Sequence, residues 1–199
     1  LLFRMNGGRV LVATTKLSQF VTGRYAPRDA WTPIWQRILA ELMPGQRTPE
    51  LRWTPTVRPS YNATDALPAD AERAALARVA AAFRNTRMLV HPQWKDELPK
   101  RNPVNDSVAP LPPASWPLGD GSEGVLEGLS SAVAPDGTQP VRWGVRADCV
   151  GEVSLLFAMA GDARVAANLN DYLYLHSPLV RRAAGASYGL LGWVYPNAE

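Results

Sequence analysis

Asp148 and Glu152 stand four residues apart in the run Arg142-Trp143-Gly144-Val145-Arg146-Ala147-Asp148-Cys149-Val150-Gly151-Glu152, where an apolar stretch from Val153 to Ala160 begins. Residues at that spacing share one face of a helix. Hydrolysis of a glycosidic bond needs two carboxyls, one protonated to help the leaving group and one ionised as base or nucleophile. Burial and like charge raise one carboxyl pKa while arginine lowers another, so Arg142 and Arg146 fit the same chemistry as substrate-binding neighbours. Trp143 would supply a flat platform for a sugar face. Helix capping explains the same residues, with Asp148 as cap, Glu152 near the positive helix end and the arginines as ion-pair partners. Both readings stand at this level.

Gly185-Ala186-Ser187-Tyr188-Gly189 matches the G-x-S-x-G pattern, which makes Ser187 the alternative nucleophile, in an esterase of small esters. That elbow needs a strand before the serine and a helix after it, with acid and histidine following. Neither His91 nor His176 lies beyond Ser187, so His176 serves as base only in another chain order, which triad geometry permits. A short glycine-rich loop accounts for the pattern without that missing context. Two histidines and the single Cys149 are too widely spaced for a metal site, so no metal is expected. Neither Gly7-Gly8 nor Gly119-Asp120-Gly121 makes a phosphate loop, and no cofactor is expected. Among the seven tryptophans, Trp31 and Trp35 read as core, while Trp94, Trp116 and Trp143 fall in loops, where exposed aromatics hint at binding.

The elements that must position these residues follow from pattern. Arg9 to Ala13 predicts a buried strand after Gly7-Gly8, and Thr14 to Ser18 a polar turn. A helix is predicted from about Pro27 to Asp29, capped by Asp29, with Trp31, Ile34, Trp35, Ile38, Leu39 and Leu42 on one face and a stop at Pro44-Gly45. Strand, turn and amphipathic helix read as the closing unit of an α/β layer. Residues 44–68 read as linker or extended strand. Pro68 opens an alanine-rich helix over Ala69 to Arg84 with Leu76, Val79 and Phe83 on one side. His91 to Pro117, with seven prolines, reads as a long irregular loop. Asp120 and Glu123 have capping-box spacing for a short helix through Leu129. Asp136-Gly137 signals a tight turn. Val141 to Val145 predicts a strand and Ala147 to Ala160 a helix. Gly161-Asp162 then stops the chain and restarts it as a helix to about Leu175, with Val165, Leu169, Tyr172 and Leu173 as its stripe. The last two helices form an αα-hairpin.

Bulk composition narrows the partners. With 46% hydrophobic and 20% charged residues the chain is globular, not disordered. The net charge of +3 is spread over single and paired basic residues, which argues against nucleic acid. No apolar stretch reaches eighteen residues, which argues against a membrane-spanning helix. One cysteine leaves the redox compartment open. The helix over Ala147 to Ala160 carries Val150, Val153, Leu155, Leu156, Phe157 and Met159 around most of its circumference. Its remaining cover is expected from another copy in a two-fold homo-oligomer, or from the proline-rich segment folding over it.

Several blocks resemble large bacterial proteins predicted to be carbohydrate-active. In these a glutamine-amidotransferase-like, flavodoxin-like domain precedes an α-helical toroid of the six-hairpin glycosidase type. Gly8-Arg9-Val10-Leu11-Val12-Ala13-Thr14-Thr15-Lys16-Leu17-Ser18-Gln19-Phe20 resembles the end of the first domain. The Arg142–Glu152 run, Asn168-Leu169-Asn170-Asp171-Tyr172 and Tyr188-Gly189-Leu190-Leu191-Gly192-Trp193 resemble the opening hairpins of the second. The resemblance implies an internal fragment of a longer, periplasmic or secreted protein. The fold expected is an α-rich α+β one: residues 1–47 ending a flavodoxin-like layer, 48–67 a linker, and 68–199 helical hairpins of a partial α/α toroid interrupted by the loop at 91–117. The function expected is glycoside hydrolysis by Asp148 and Glu152 on a carbohydrate substrate. The alternatives are the Ser187 esterase and a non-catalytic, self-assembling fragment.

Overall fold

A computed structural model of the chain describes residues 2–17, 30–52, 59–62, 64–104 and 107–196. Two compact units divide it, one of Leu1–Asp65 with Val133–Thr138 and one of Ala66–Ala132 with Gln139–Glu199. Among the described residues are five helices and seven short strands, 36% helical and 13% strand, which makes the fold mixed α+β and overturns the expected α-rich toroid.

In the first unit, β1 (Leu2–Met5) and β2 (Val10–Ala13) pair antiparallel, Leu2 opposite Ala13 and Met5 opposite Val10. The strand expected over 9–13 therefore closes a hairpin on its own neighbour, not a parallel α/β layer. The turn explains why: Asn6, Gly7 and Gly8 all hold positive φ, a conformation open to glycine and tolerated by asparagine. Helix α1 (Trp31–Leu42) ends before Pro44-Gly45 as expected, while the Asp29 cap lies outside the described residues. Arg4 of the hairpin grips the Glu41 carboxylate of α1, and Arg37 reaches the same carboxylate at 2.5 Å. The Arg4 hydrogen bond, then the Arg37 charge, hold the Glu41 carboxyl below its usual range.

The second unit carries the larger core. Helix α2 (Ala71–Asn85) buries Ala80 and half-buries Leu76 and Phe83, whereas Val79 faces solvent, so Ala80 takes the place of Val79 in the expected stripe. Within the proline-rich segment Lys95–Glu97 form a 3-10 turn and Leu98–Arg101 the short helix α3, with Pro99 in the first turn where its missing N–H costs nothing. Trp94 and Leu98 from this segment join the core. The helix expected from Asp120 to Leu129 is absent. Asp120 spends its carboxylate on the Ser122 N–H two residues on (3.2 Å), and Gly121 and Gly124 hold positive φ, which turns the chain. Val125 and Leu126 then run beside Met88–Val90, all buried.

A three-stranded antiparallel sheet sets β5 (Val141–Arg142) between β3 (Val108–Ala109) and β4 (Gly128–Leu129). The strand expected over 141–145 breaks at Trp143-Gly144. Its second part, β6 (Val145–Arg146), pairs instead with β7 (Val194–Tyr195). Gly144 is required there, since a Cβ would sit 2.8 Å from Val194 Cγ2.

Helix α4 (Ala147–Met159) starts directly from β6. It stops with Gly161 at positive φ and the Asp162 N–H donating to the Phe157 carbonyl (2.8 Å), a left-handed helix cap. Asp162 Oδ1 then accepts the Val165 N–H (3.1 Å) to start α5 (Ala163–Asp171), and the same carboxylate pairs with Arg84 of α2. A π turn at Tyr172–His176 ends the hairpin. Val165, Leu169, Tyr172 and Leu173 are buried as expected. Helix α4 is not covered all round: Val150, Val153 and Phe157 are buried, while Leu155 and Met159 are 61% and 55% exposed.

That orientation predicts unequal costs along α4. Phe157→Ala should lower stability by about 3–5 kcal/mol, because a fully enclosed aromatic leaves a cavity. Leu155→Ala should change it by less than about 0.5 kcal/mol. Urea denaturation followed by tryptophan fluorescence measures both, and equal losses would refute the assigned face.

Candidate functional site

The carboxylate at the centre of the candidate site is Glu127, which sequence reasoning passed over. It sits just before β4, its N–H donating to the Gly144 carbonyl (2.6 Å) and its side chain only 9% exposed. Glu127 Oε1 accepts from Arg142 Nη1 at 3.3 Å and from Arg146 Nη1 at 3.2 Å. Its signal in the sequence is a lone acid in the apolar run Val125-Leu126-Glu127-Gly128-Leu129: a carboxylate enclosed among such neighbours needs a cation.

Arg146 joins this centre to the expected site. Its Nε donates to Asp148 Oδ1 at 3.1 Å and its Nη2 to Oδ2 at 2.5 Å, a forked pair. The Cys149 N–H adds a third bond to Oδ1 (2.9 Å). Partial burial opposes the charge of Asp148, but Arg146 and the Cys149 N–H outweigh it and hold the carboxyl below the usual aspartate range. Asp148 is not the helix cap. Arg146 occupies that position in extended conformation, with no side-chain cap bond. One turn on, Glu152 is exposed and makes no ion pair among the described residues.

Arg142 and Arg146 are thus gathered at the start of α4 with Asp148, with Glu152 one turn along. Trp143 is not with them as a platform, because it is fully buried. Its Nε1 donates to the Pro110 carbonyl (3.0 Å), and its ring meets Trp94 and Trp116 edge-on at 6.0 and 6.3 Å. The Arg101 guanidinium lies 4.7 Å over it. The loop tryptophans 94, 116 and 143 therefore build core around one cation, and their sequence position misled because the loops that carry them are themselves packed. Among the described residues the exposed tryptophan is Trp193, 62% open, with Arg146 Cζ 4.0 Å from its ring centroid. The β6–β7 pairing, which sets Arg146 opposite Val194, brings it there.

Ser187 lies elsewhere, in an exposed turn closed by Tyr188 N–H to Gly185 O and Leu190 N–H to Ser187 O, both 3.1 Å. Among the described residues no strand leads into it and no helix follows, so the nucleophile elbow is not formed there, and His176 is exposed at the end of the π turn. No group of histidine, cysteine and acidic side chains among the described residues is arranged to hold a metal ion. No described helix is long and apolar enough to cross a membrane. The chain matches no family model, no curated protein and no solved structure with which it was compared.

Two measurements test this geometry. Asp148 has a depressed folded pKa, so its pairing stabilises the fold above the unfolded value near about 3.9 and is lost as pH falls through the folded one. Asp148→Asn should therefore flatten the acid limb of a urea-midpoint profile below about pH 4. Burial, then the Asp148 charge, push the Cys149 thiol up to about 12. Alkylation by iodoacetamide at pH 8 should be slower in the native chain than in urea by on the order of a hundredfold or more.

Proposed function

We propose that this chain handles carbohydrate, as a sugar-contacting part of a glycoside hydrolase, with Trp193 as the stacking platform in place of Trp143. The observation that carries the reading is the Trp193 ring, open to solvent and held by an arginine that also grips Asp148. A flat, rigid indole beside carboxylates suits a sugar, whose apolar ring face stacks while its hydroxyls take hydrogen bonds.

The roles divide by environment. Asp148, held ionised, takes the base or nucleophile role, and its Oδ2 keeps a lone pair free of Arg146. Glu152, one turn along the same helix, is the remaining carboxyl and takes the acid role, giving a proton to the leaving oxygen as the glycosidic C–O bond breaks. Arg146 positions both Asp148 and Trp193, and Glu127 fixes Arg146 from below. A second reading, the self-assembling one, draws on the exposed Leu155 and Met159. It expects light scattering to give the mass of two chains.

A panel of chromogenic glycosides and short-chain esters, with glycan binding by calorimetry, tests the proposal. Trp193→Ala should weaken glycan binding by about tenfold, which corresponds to about 1.4 kcal/mol, and Glu152→Gln should abolish glycoside turnover while leaving binding. Ester turnover lost in Ser187→Ala, with no glycan bound by the wild type, would overturn the reading.

A further inference from the structure

A cleft of about 330 Å³ opens in the second unit between the 3-10 turn, the Glu123 turn and the π turn, and neither Arg146 nor Trp193 lines it. Tyr172 lines it. That residue is only 4% exposed, and its hydroxyl makes no hydrogen bond among the described residues. Its ring is fixed from behind by Gly124, where a Cβ would stand 2.5 Å from Tyr172 Cε1. Burial raises the phenol pKa, so the hydroxyl stays protonated and can donate. On the rim Lys95 Nζ bonds Glu123 Oε1 at 2.9 Å, and Asp96, His176 and Tyr195 are among the other lining residues.

The charges decide what such a cleft takes. Arg182 also borders it, but its guanidinium is committed to backbone carbonyls, with Nη1 on Ser177 O (2.7 Å) and Nη2 on Leu175 O (2.8 Å). Lys95 and Arg182 are balanced by Glu123 and Asp96. A phosphate or carboxylate would meet two acids and no open arginine fork, which is how such anions are held elsewhere. A neutral ligand with many hydroxyls instead uses what is there: Tyr172 and Lys95 as donors, Glu123 and Asp96 as acceptors. The volume lies at the small end of ligand pockets, room for one ring and not for a chain.

We propose that this cleft binds a single neutral polyhydroxylated ring, a pyranose or furanose unit, through the Tyr172 hydroxyl and the Lys95–Glu123 pair. The site goes beyond the Trp193 platform and shares no residue with it. Its test uses the intact chain in a Trp193→Ala background, so that the platform cannot contribute. Neutral methyl hexosides, methyl glucuronide and inorganic phosphate are titrated by calorimetry, with Tyr172→Phe as the variant. That change removes one oxygen and keeps the ring on Gly124, and thermal unfolding checks that the fold persists. The expected result is binding of a neutral hexoside that weakens about fivefold in Tyr172→Phe, the effect of one hydrogen bond of about 1 kcal/mol. Binding indifferent to Tyr172→Phe, tighter binding of glucuronide or phosphate, or no hexoside binding overturns the cleft. None of these results bears on the platform, which is tested separately with Trp193 intact.

Discussion

Burial of the Glu127 carboxylate organises the second unit. An ionised group enclosed to this degree is costly unless paired, and the two cations that answer it come from either side of the break between β5 and β6. The Glu127 N–H bond to Gly144 O anchors the backbone at that same break. With Glu127 in place, Arg146 has only a narrow range of positions, and from there its remaining donors select Asp148 while its flat face meets Trp193. Removing Glu127 would leave two guanidinium groups without their common acceptor.

Beneath this ionic layer the core closes around backbone with no room for side chains. At Gly119 a Cβ would lie 2.4 Å from the Leu89 carbonyl oxygen, and at Gly124 it would collide with Tyr172. These glycines let the segment from Leu118 to Leu126 lie directly on Met88–Val90 and under α5. Trp94, Trp116 and Trp143 fill the neighbouring volume, with Arg101 among their faces. A guanidinium stacked on aromatic rings keeps its charge while its flat faces lose water, which is how a cation comes to sit beside a tryptophan cluster.

Legibility in the sequence followed how local each decision was. The α4–α5 hairpin could be read because Gly161-Asp162 and the stripe of Val165, Leu169, Tyr172 and Leu173 act within a few residues of one another. The strand at Val10 could be read, but its partner could not, since pairing with β1 depends on three successive left-handed residues in the turn. Asp120 and Glu123 have the spacing of a helix start, yet Gly121 and Gly124 set the backbone there. Of the candidate site, Arg142, Arg146 and Asp148 were legible as neighbours, whereas Glu152 shares their helix but makes no ion pair with them. Trp143 was misplaced because exposure cannot be inferred from lying in a loop when the loop is core. Glu127 and Trp193 were missed because each acquires its role from a strand pairing distant in sequence.

The two-residue strand β7 ties these decisions together. Val194 is buried against Gly144. Trp193 on one side of it meets Arg146, and Tyr195 on the other lines the cleft with Tyr172. A β-strand sends successive side chains to opposite faces, so a slip of one residue in the β6–β7 register would exchange what is buried and what is presented. Gly144 guards against that slip, because only Val194 at this register fills the space its missing side chain leaves. The same fit that completes the core therefore delivers an aromatic to each candidate site. Altering Val194 would disturb both sites without touching a residue that contacts ligand in either.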